Sequence, residues 1–264
     1  MTMQVLARPW GAMHIRVDGP SDGPTVVFAN SLGTDLHLWD AVLPRLQGVR
    51  VVRFDKPGHG LSDLPRDPAS VSIAALADDA AALIEAVCSG PVVFVGLSIG
   101  GMIGQQLAAS RPDLVRGLVV ANSAVQMGTA DSWNTRIAAV EADGIESIAD
   151  AVMERWFAPA FRATPELSIW RNMLVRTPRA GYVAACHALA AADLTARAGA
   201  IAVPTAVIAG QLDGAAPPDI VAATAALIDG ATYTVMPGVG HIPPVEAPAA
   251  FADILNAFLA EVRP

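Results

Sequence analysis

Lysine occurs once in this chain, at Lys56, and charged residues of either sign make up only 16% of it. The formal net charge is −8 over 264 residues. No basic stripe or Lys/Arg run is available to track phosphates, which excludes a nucleic-acid surface. Cysteine is almost as scarce. Cys88 and Cys186 stand apart, with no CxxC or Cys/His spacing, so neither a disulfide framework nor a metal site is expected. No apolar run is long enough to span a bilayer, and the opening "MTMQVLARPWGAMHIRVDG" lacks the apolar stretch of a secretion signal. These absences predict a soluble, cytoplasmic protein without nucleic-acid or membrane partners. What the chain does have is core material, at 53% hydrophobic residues, enough for one large domain or one domain carrying an insertion.

Short strand-like runs alternate with helical spacing over most of the length. "MHIRV" and "TVVFA" read as strands joined in a hairpin through the turn-rich Asp18–Pro24. "LHLWDAVLPRL" reads as a short helix capped by Thr34 or Asp35, "VRVVRF" as a strand ending at Asp55, and "SIAALADDAAALIEAV" as a helix starting after Ser70 or Ser72. "PVVFVGL" is almost wholly apolar, as suits a central parallel strand covered on both faces. "GLVVAN", "PTAVIAG" and "ATYTVMPG" are further strands, and "PAAFADILNAFLAEV" is a closing helix. This alternation predicts an α/β fold with a mostly parallel, doubly wound sheet that starts antiparallel. Residues 123–197 break the rhythm with helical patterns only. They predict a helical insertion after the sixth strand, with residues 1–122 and 198–264 forming the core.

One stretch, "VVFVGLSIGGMIGQQLAA", changes from strand to helix at Ser98, with Gly96, Gly100 and Gly101 close around it. Glycines at these positions allow a sharp turn that presents a serine hydroxyl at the top of the sheet. At the helix N-terminus, free N–H groups favour developing negative charge. Such a serine needs a base, and the base needs an orienting acid, in the chain order Ser, acid, His. His241 directly follows the last strand, and Asp213 follows the strand before it. Asn122 ends the strand before the insertion and cannot act as a carboxylate. Asp219 and Asp229 read as solvated, Glu246 as an anchor of the loop or final helix, and His14, His37 and His187 as surface or packing residues. The expected oxyanion donors are the backbone N–H of Ile99 and, from the loop "FANSLGTDLHLW", that of Leu32, with Ser31 its neighbour. In "FDKPGHGLSD", Asp55 is expected to tie down its own turn and His59 to be structural.

With these residues placed, the chain resembles the α/β-hydrolase superfamily over essentially its whole length, and within it the 3-oxoadipate enol-lactonases. The likeness rests on "NSLGTDLHLW", "GHGLS", "GLSIGGMIGQ", "NSA", "RWF", "GYVAACHALAAADL" and "GHIPPVE". "DKPGHG" departs from the arginine usual shortly before GHG, and Ile99 from the usual methionine. The resemblance implies an α/β-hydrolase fold with a helical cap and a cofactor-free serine hydrolase that opens a small anionic lactone. A carboxylate on that substrate implies a cationic partner, for which the insertion offers Arg136, Arg155, Arg162, Arg171, Arg176 and Arg179. Arg136, one helical turn after Trp133, is the leading candidate, with Trp133 and Trp156 as pocket walls. Other serine hydrolases of this fold (a carboxylesterase, a carbon–carbon bond hydrolase, a perhydrolase) and a non-enzymatic ligand-binding protein are the alternatives.

Overall fold

The computed structural model describes residues 4–262. Eight strands form one sheet: β1 (Gln4–Arg8), β2 (Gly11–Asp18), β3 (Thr25–Ala29), β4 (Arg50–Phe54), β5 (Val92–Leu97), β6 (Val115–Ala121), β7 (Thr205–Gly210) and β8 (Thr232–Met236). Their spatial order is β1-β2-β4-β3-β5-β6-β7-β8. β2 pairs antiparallel with both β1 and β4, and every other pairing is parallel.

The antiparallel start is present, but the expected hairpin is not the one that forms. β2 turns back on β1, a strand that sequence patterning missed, whereas the segment Asp18–Pro24 carries the chain past β4 to β3. Burial explains both outcomes. Val26, Val27 and Phe28 are wholly buried, so β3 needs cover on both faces and a partner on each edge, which a central position supplies. β1 is a short, largely exposed edge with no apolar periodicity to reveal it. The expected helix after Asp35 is instead two 3₁₀ turns, Leu36–Trp39 and Leu43–Arg45. Pro44 has no N–H to donate and so cannot sit within a longer helix.

All six residues of β5 are buried. At about 1.5–3 kcal/mol for each large apolar side chain removed from water, this strand is a rigid base for whatever follows it. α1 (Ile73–Val87), capped by the Ser72 hydroxyl, packs on α2 (Ile99–Ser110), which lies against β5 and β6. Between β6 and β7 come α3 (Ala130–Asp143), α4 (Glu146–Trp156), α5 (Pro159–Arg162), α6 (Leu167–Val175), α7 (Arg179–Ala190) and α8 (Thr195–Ala198), with no strand among them. α3 packs on α7 and α4. Then follow α9 (Pro218–Ala225), α10 (Pro243–Glu246) and α11 (Pro248–Glu261). Among the described residues no helix is long and apolar enough to cross a membrane, and no cluster of His, Cys, Asp or Glu is arranged to hold a metal.

Candidate active site

Ser98 stands between β5 and α2 with φ 59° and ψ −122°. That left-handed conformation costs a non-glycine residue about 1–3 kcal/mol, held here by a buried strand on one side and a buried helix on the other. The surrounding glycines are required by space. A Cβ on Gly96 would lie 2.1 Å from the Gly100 carbonyl oxygen, and one on Gly100 would lie 2.0 Å from that of Ala29. The turn therefore closes only without side chains at these positions. The serine is lifted to the carboxyl edge of the sheet.

His241 and Asp213 are brought there by the ends of β8 and β7. His241 Nδ1 is 2.8 Å from Asp213 Oδ2, and the two residues are 1% and 5% exposed. Asp213 Oδ1 accepts from the N–H groups of Ala215 (2.7 Å) and Ala216 (2.9 Å). Its Oδ2 also accepts from Asn122 Nδ2 at 2.8 Å. An ionised carboxylate that takes these three donors can only accept from the imidazole as well, which makes Nδ1 the protonated nitrogen. The other nitrogen, Nε2, is then a base. Ser98 and His241 line one cavity together with Leu32.

Asn122 was excluded as an acid, but it has a part that sequence reasoning missed. At φ 47°, its amide bridges Asp213 and the Gly240 carbonyl (3.1 Å), the residue before the histidine. Its place at the carboxyl end of the strand beside β7 was the available signal. Glu246 also supports this loop. Its two oxygens accept from Gly240 N and Ala158 N, each at 2.9 Å. Burial pushes its pKa up to about 7, against the backbone N–H groups that favour the carboxylate. Between the ordinary value of 4.5 and about 7 the native state keeps a proton that the unfolded chain releases. Stability from this group is accordingly full below 4.5 and is lost as pH rises through 7. Glu246→Gln has no such titration, so the Tm advantage of wild type over this variant is expected to shrink between pH 5 and pH 8 in thermal melts.

Leu32 lies in the loop after β3, where Gly33 has φ +71°, and Ile99 opens α2, whose first N–H groups have no intrahelical carbonyl. Asp55 accepts from Leu61 N (3.1 Å), in its own turn, but also from Leu36 N (2.8 Å) and sits 2.8 Å from His14 Nδ1. His59 is fully buried, with Nδ1 3.1 Å from the Pro57 carbonyl.

The helical segment contributes Trp133, Arg136, Arg155 and Trp156 to the lining of the same cavity. Of the six arginines considered in this segment, only Arg136 and Arg155 line it. Arg162 and Arg171 are turned to Glu154 and Asp150. The Arg136 guanidinium carbon is 5.0 Å from the Trp133 ring centre, and Nη1 is 3.4 Å from the buried Tyr182 hydroxyl. Arg155 Nε donates to Gly214 O at 3.0 Å. Burial, and then the charge of Arg136 nearby, pushes the pKa of Arg155 down. Two cations thus share one wall, and among the described residues neither forms an ion pair. Such a wall favours an anion. Trp156 contributes more than a surface: its carbonyl accepts from His241 N at 2.7 Å.

A family model described as alpha/beta hydrolase fold matches residues 24–248. The 3-oxoadipate enol-lactonase 1 of Acinetobacter baylyi is 33% identical over 215 residues, covering 80% of each chain. A putative carbamate hydrolase RutD of Variovorax paradoxus is 31% identical, covering 95% of this chain and 97% of its own. The crystal structure of the enol-lactonase from Burkholderia xenovorans LB400 superposes with a TM-score of 0.93 at 34% identity, over 97% of this chain and 100% of that one.

Proposed function

The chain belongs to the α/β-hydrolase fold family, and from that premise we propose that this hydrolase is a serine enzyme opening 3-oxoadipate enol-lactone to 3-oxoadipate. The observation that carries this reading is one cavity lined both by Ser98 and the Asp213-paired His241 and by two arginines that form no ion pair among the described residues. The enol-lactonase relatives support the same choice.

In this mechanism His241 Nε2 takes the Ser98 proton as Oγ bonds to the lactone carbonyl carbon. The carbonyl oxygen becomes an oxyanion facing the N–H groups of Leu32 and Ile99. When the intermediate collapses, the bond to the ring oxygen breaks and an enol leaves, receiving the proton from His241. The enol relaxes to the ketone while still tethered to the acyl-enzyme. Water, deprotonated by His241, then attacks the ester, and Ser98 regains its proton as 3-oxoadipate departs. These steps draw on no metal or organic cofactor. Arg136 holds the free carboxylate of the substrate, with Trp133 and Trp156 as walls. Residues 123–197 act as a cap over a core of residues 1–122 and 198–264, of which 1–3 and 263–264 lie outside the described residues. The role fits the β-ketoadipate route of aromatic catabolism, in the cytoplasm.

The test is a substrate panel with the purified protein. Enol-lactone is expected to exceed p-nitrophenyl acetate, a simple carbamate and a vinylogous diketone in kcat/KM by orders of magnitude. A carbamate at the top would favour the RutD-like alternative instead. Arg136→Met should raise KM for the anionic lactone by roughly 10–100-fold, as expected for losing a charged hydrogen bond. Its kcat/KM for neutral p-nitrophenyl acetate should stay within a few-fold of wild type.

A further inference from the structure

The chain's one lysine is buried, with Lys56 only 1% exposed. Removing an ammonium from water is expensive, by several kcal/mol even after relaxation, and among the described residues no carboxylate forms an ion pair with it. Its Nζ donates instead to two carbonyl oxygens, Asn30 O at 3.1 Å and Ser31 O at 2.9 Å. The second of these matters for the reaction. The Ser31 carbonyl and the Leu32 N–H are two ends of one peptide group, and no described peptide bond is cis. In a trans peptide they point in opposite directions. Whatever holds Ser31 O therefore aims Leu32 N–H the other way, and Leu32 lines the cavity with Ser98.

We propose that Lys56 is a positioning residue for oxyanion stabilisation, its cation fixing and polarising the Ser31–Leu32 peptide so that Leu32 N–H faces the reacting carbonyl. The proposal rests on the serine-hydrolase reading above. A positive charge on the carbonyl end draws electron density from the N–H end, and linked hydrogen bonds of this kind reinforce one another. The geometry of the loop has a second holder. Thr34 Oγ1 donates to the same Ser31 oxygen at 2.9 Å, and Asn30 Nδ2 donates to Thr34 O. Loss of Lys56 thus removes the charge while Thr34 keeps the loop closed.

The charge is also poised to titrate. Burial lowers the Lys56 pKa to about 7, with Asp55 and Asp35 opposing that shift. The ammonium in turn joins burial in lowering the neighbouring His59 to about 3, so His59 is neutral whenever the enzyme works. A neutral amine still donates to both carbonyls but polarises less. On this account kcat in wild type declines as pH rises from 7 to 9.

The experiment compares wild type, Lys56→Met and Lys56→Arg for p-nitrophenyl acetate turnover and for the rate of Ser98 labelling by a fluorophosphonate. Lys56→Met is expected to lose roughly 10–100-fold in kcat and labelling rate, a part of what a whole oxyanion donor contributes. Its KM should stay within threefold, and its alkaline decline should vanish. Lys56→Arg, charged throughout, should recover most of the rate and also lack the alkaline decline. Rates within twofold of wild type in a folded Lys56→Met protein would overturn the assignment to Lys56 alone. Should the methionine variant not fold, an unchanged alkaline decline in Lys56→Arg overturns it equally. A wild-type protein that is neither labelled nor active would instead overturn the serine mechanism, and this inference with it.

Discussion

Ser98→Ala is expected to lose about 10⁴–10⁶-fold in kcat, leaving KM nearly unchanged, because only the bond-forming oxygen disappears. The backbone at this position is held by β5 and α2 rather than by the hydroxyl, so the alanine variant should fold with a Tm close to wild type. Residual catalysis over water would come from the donors at Leu32 and Ile99 and from substrate binding. The measurement is steady-state hydrolysis of enol-lactone, with fluorophosphonate labelling as a check that is independent of substrate. Full activity in the alanine variant would refute the covalent mechanism whatever the substrate.

Asp213→Asn should approach the same loss, near 10⁴-fold in kcat. Asp213 receives hydrogens from Ala215, Ala216, Asn122 and, on its Oδ2, the His241 ring. An asparagine amide has one accepting end. If its oxygen meets the two alanine N–H groups, its NH₂ confronts both the Asn122 amide and Nδ1. The imidazole is then driven to place its proton on Nε2, where a base is needed. If the amide turns round, two backbone N–H groups, that of Ala216 buried, face another donor, at about 1–3 kcal/mol for a buried one. Either arrangement impairs the base. A loss of stability accompanied by wild-type kcat in the folded fraction would contradict this account.

The elbow was legible because local chemistry dictates it. An unbroken apolar strand, three small residues and a helical pattern leave the backbone little choice around Ser98, and the structure has the turn there. The meeting of His241 with Asp213 was legible through chain order, since a parallel sheet delivers the ends of β7 and β8 to one edge. Contacts between loops far apart in sequence were not legible. Neither the bridge from Asn122 to Asp213 nor the grip of Lys56 on Ser31 leaves a periodic trace. The same holds for strand neighbours. The order β2-β4-β3 depends on which strand must be covered twice, a property of the assembled sheet rather than of the turn at Asp18–Pro24. In the helical segment, spacing from Trp133 singled out Arg136, which lines the cavity, but gave no sign that helix packing brings Arg155 there too.

The backbone N–H of His241 is bonded to the Trp156 carbonyl, and Glu246 joins Gly240 to Ala158. The His241 loop and the C-terminal end of α4 are therefore stitched into a single piece. A hinge that raised the whole helical segment would tear these seams and drag the imidazole out of register with each opening.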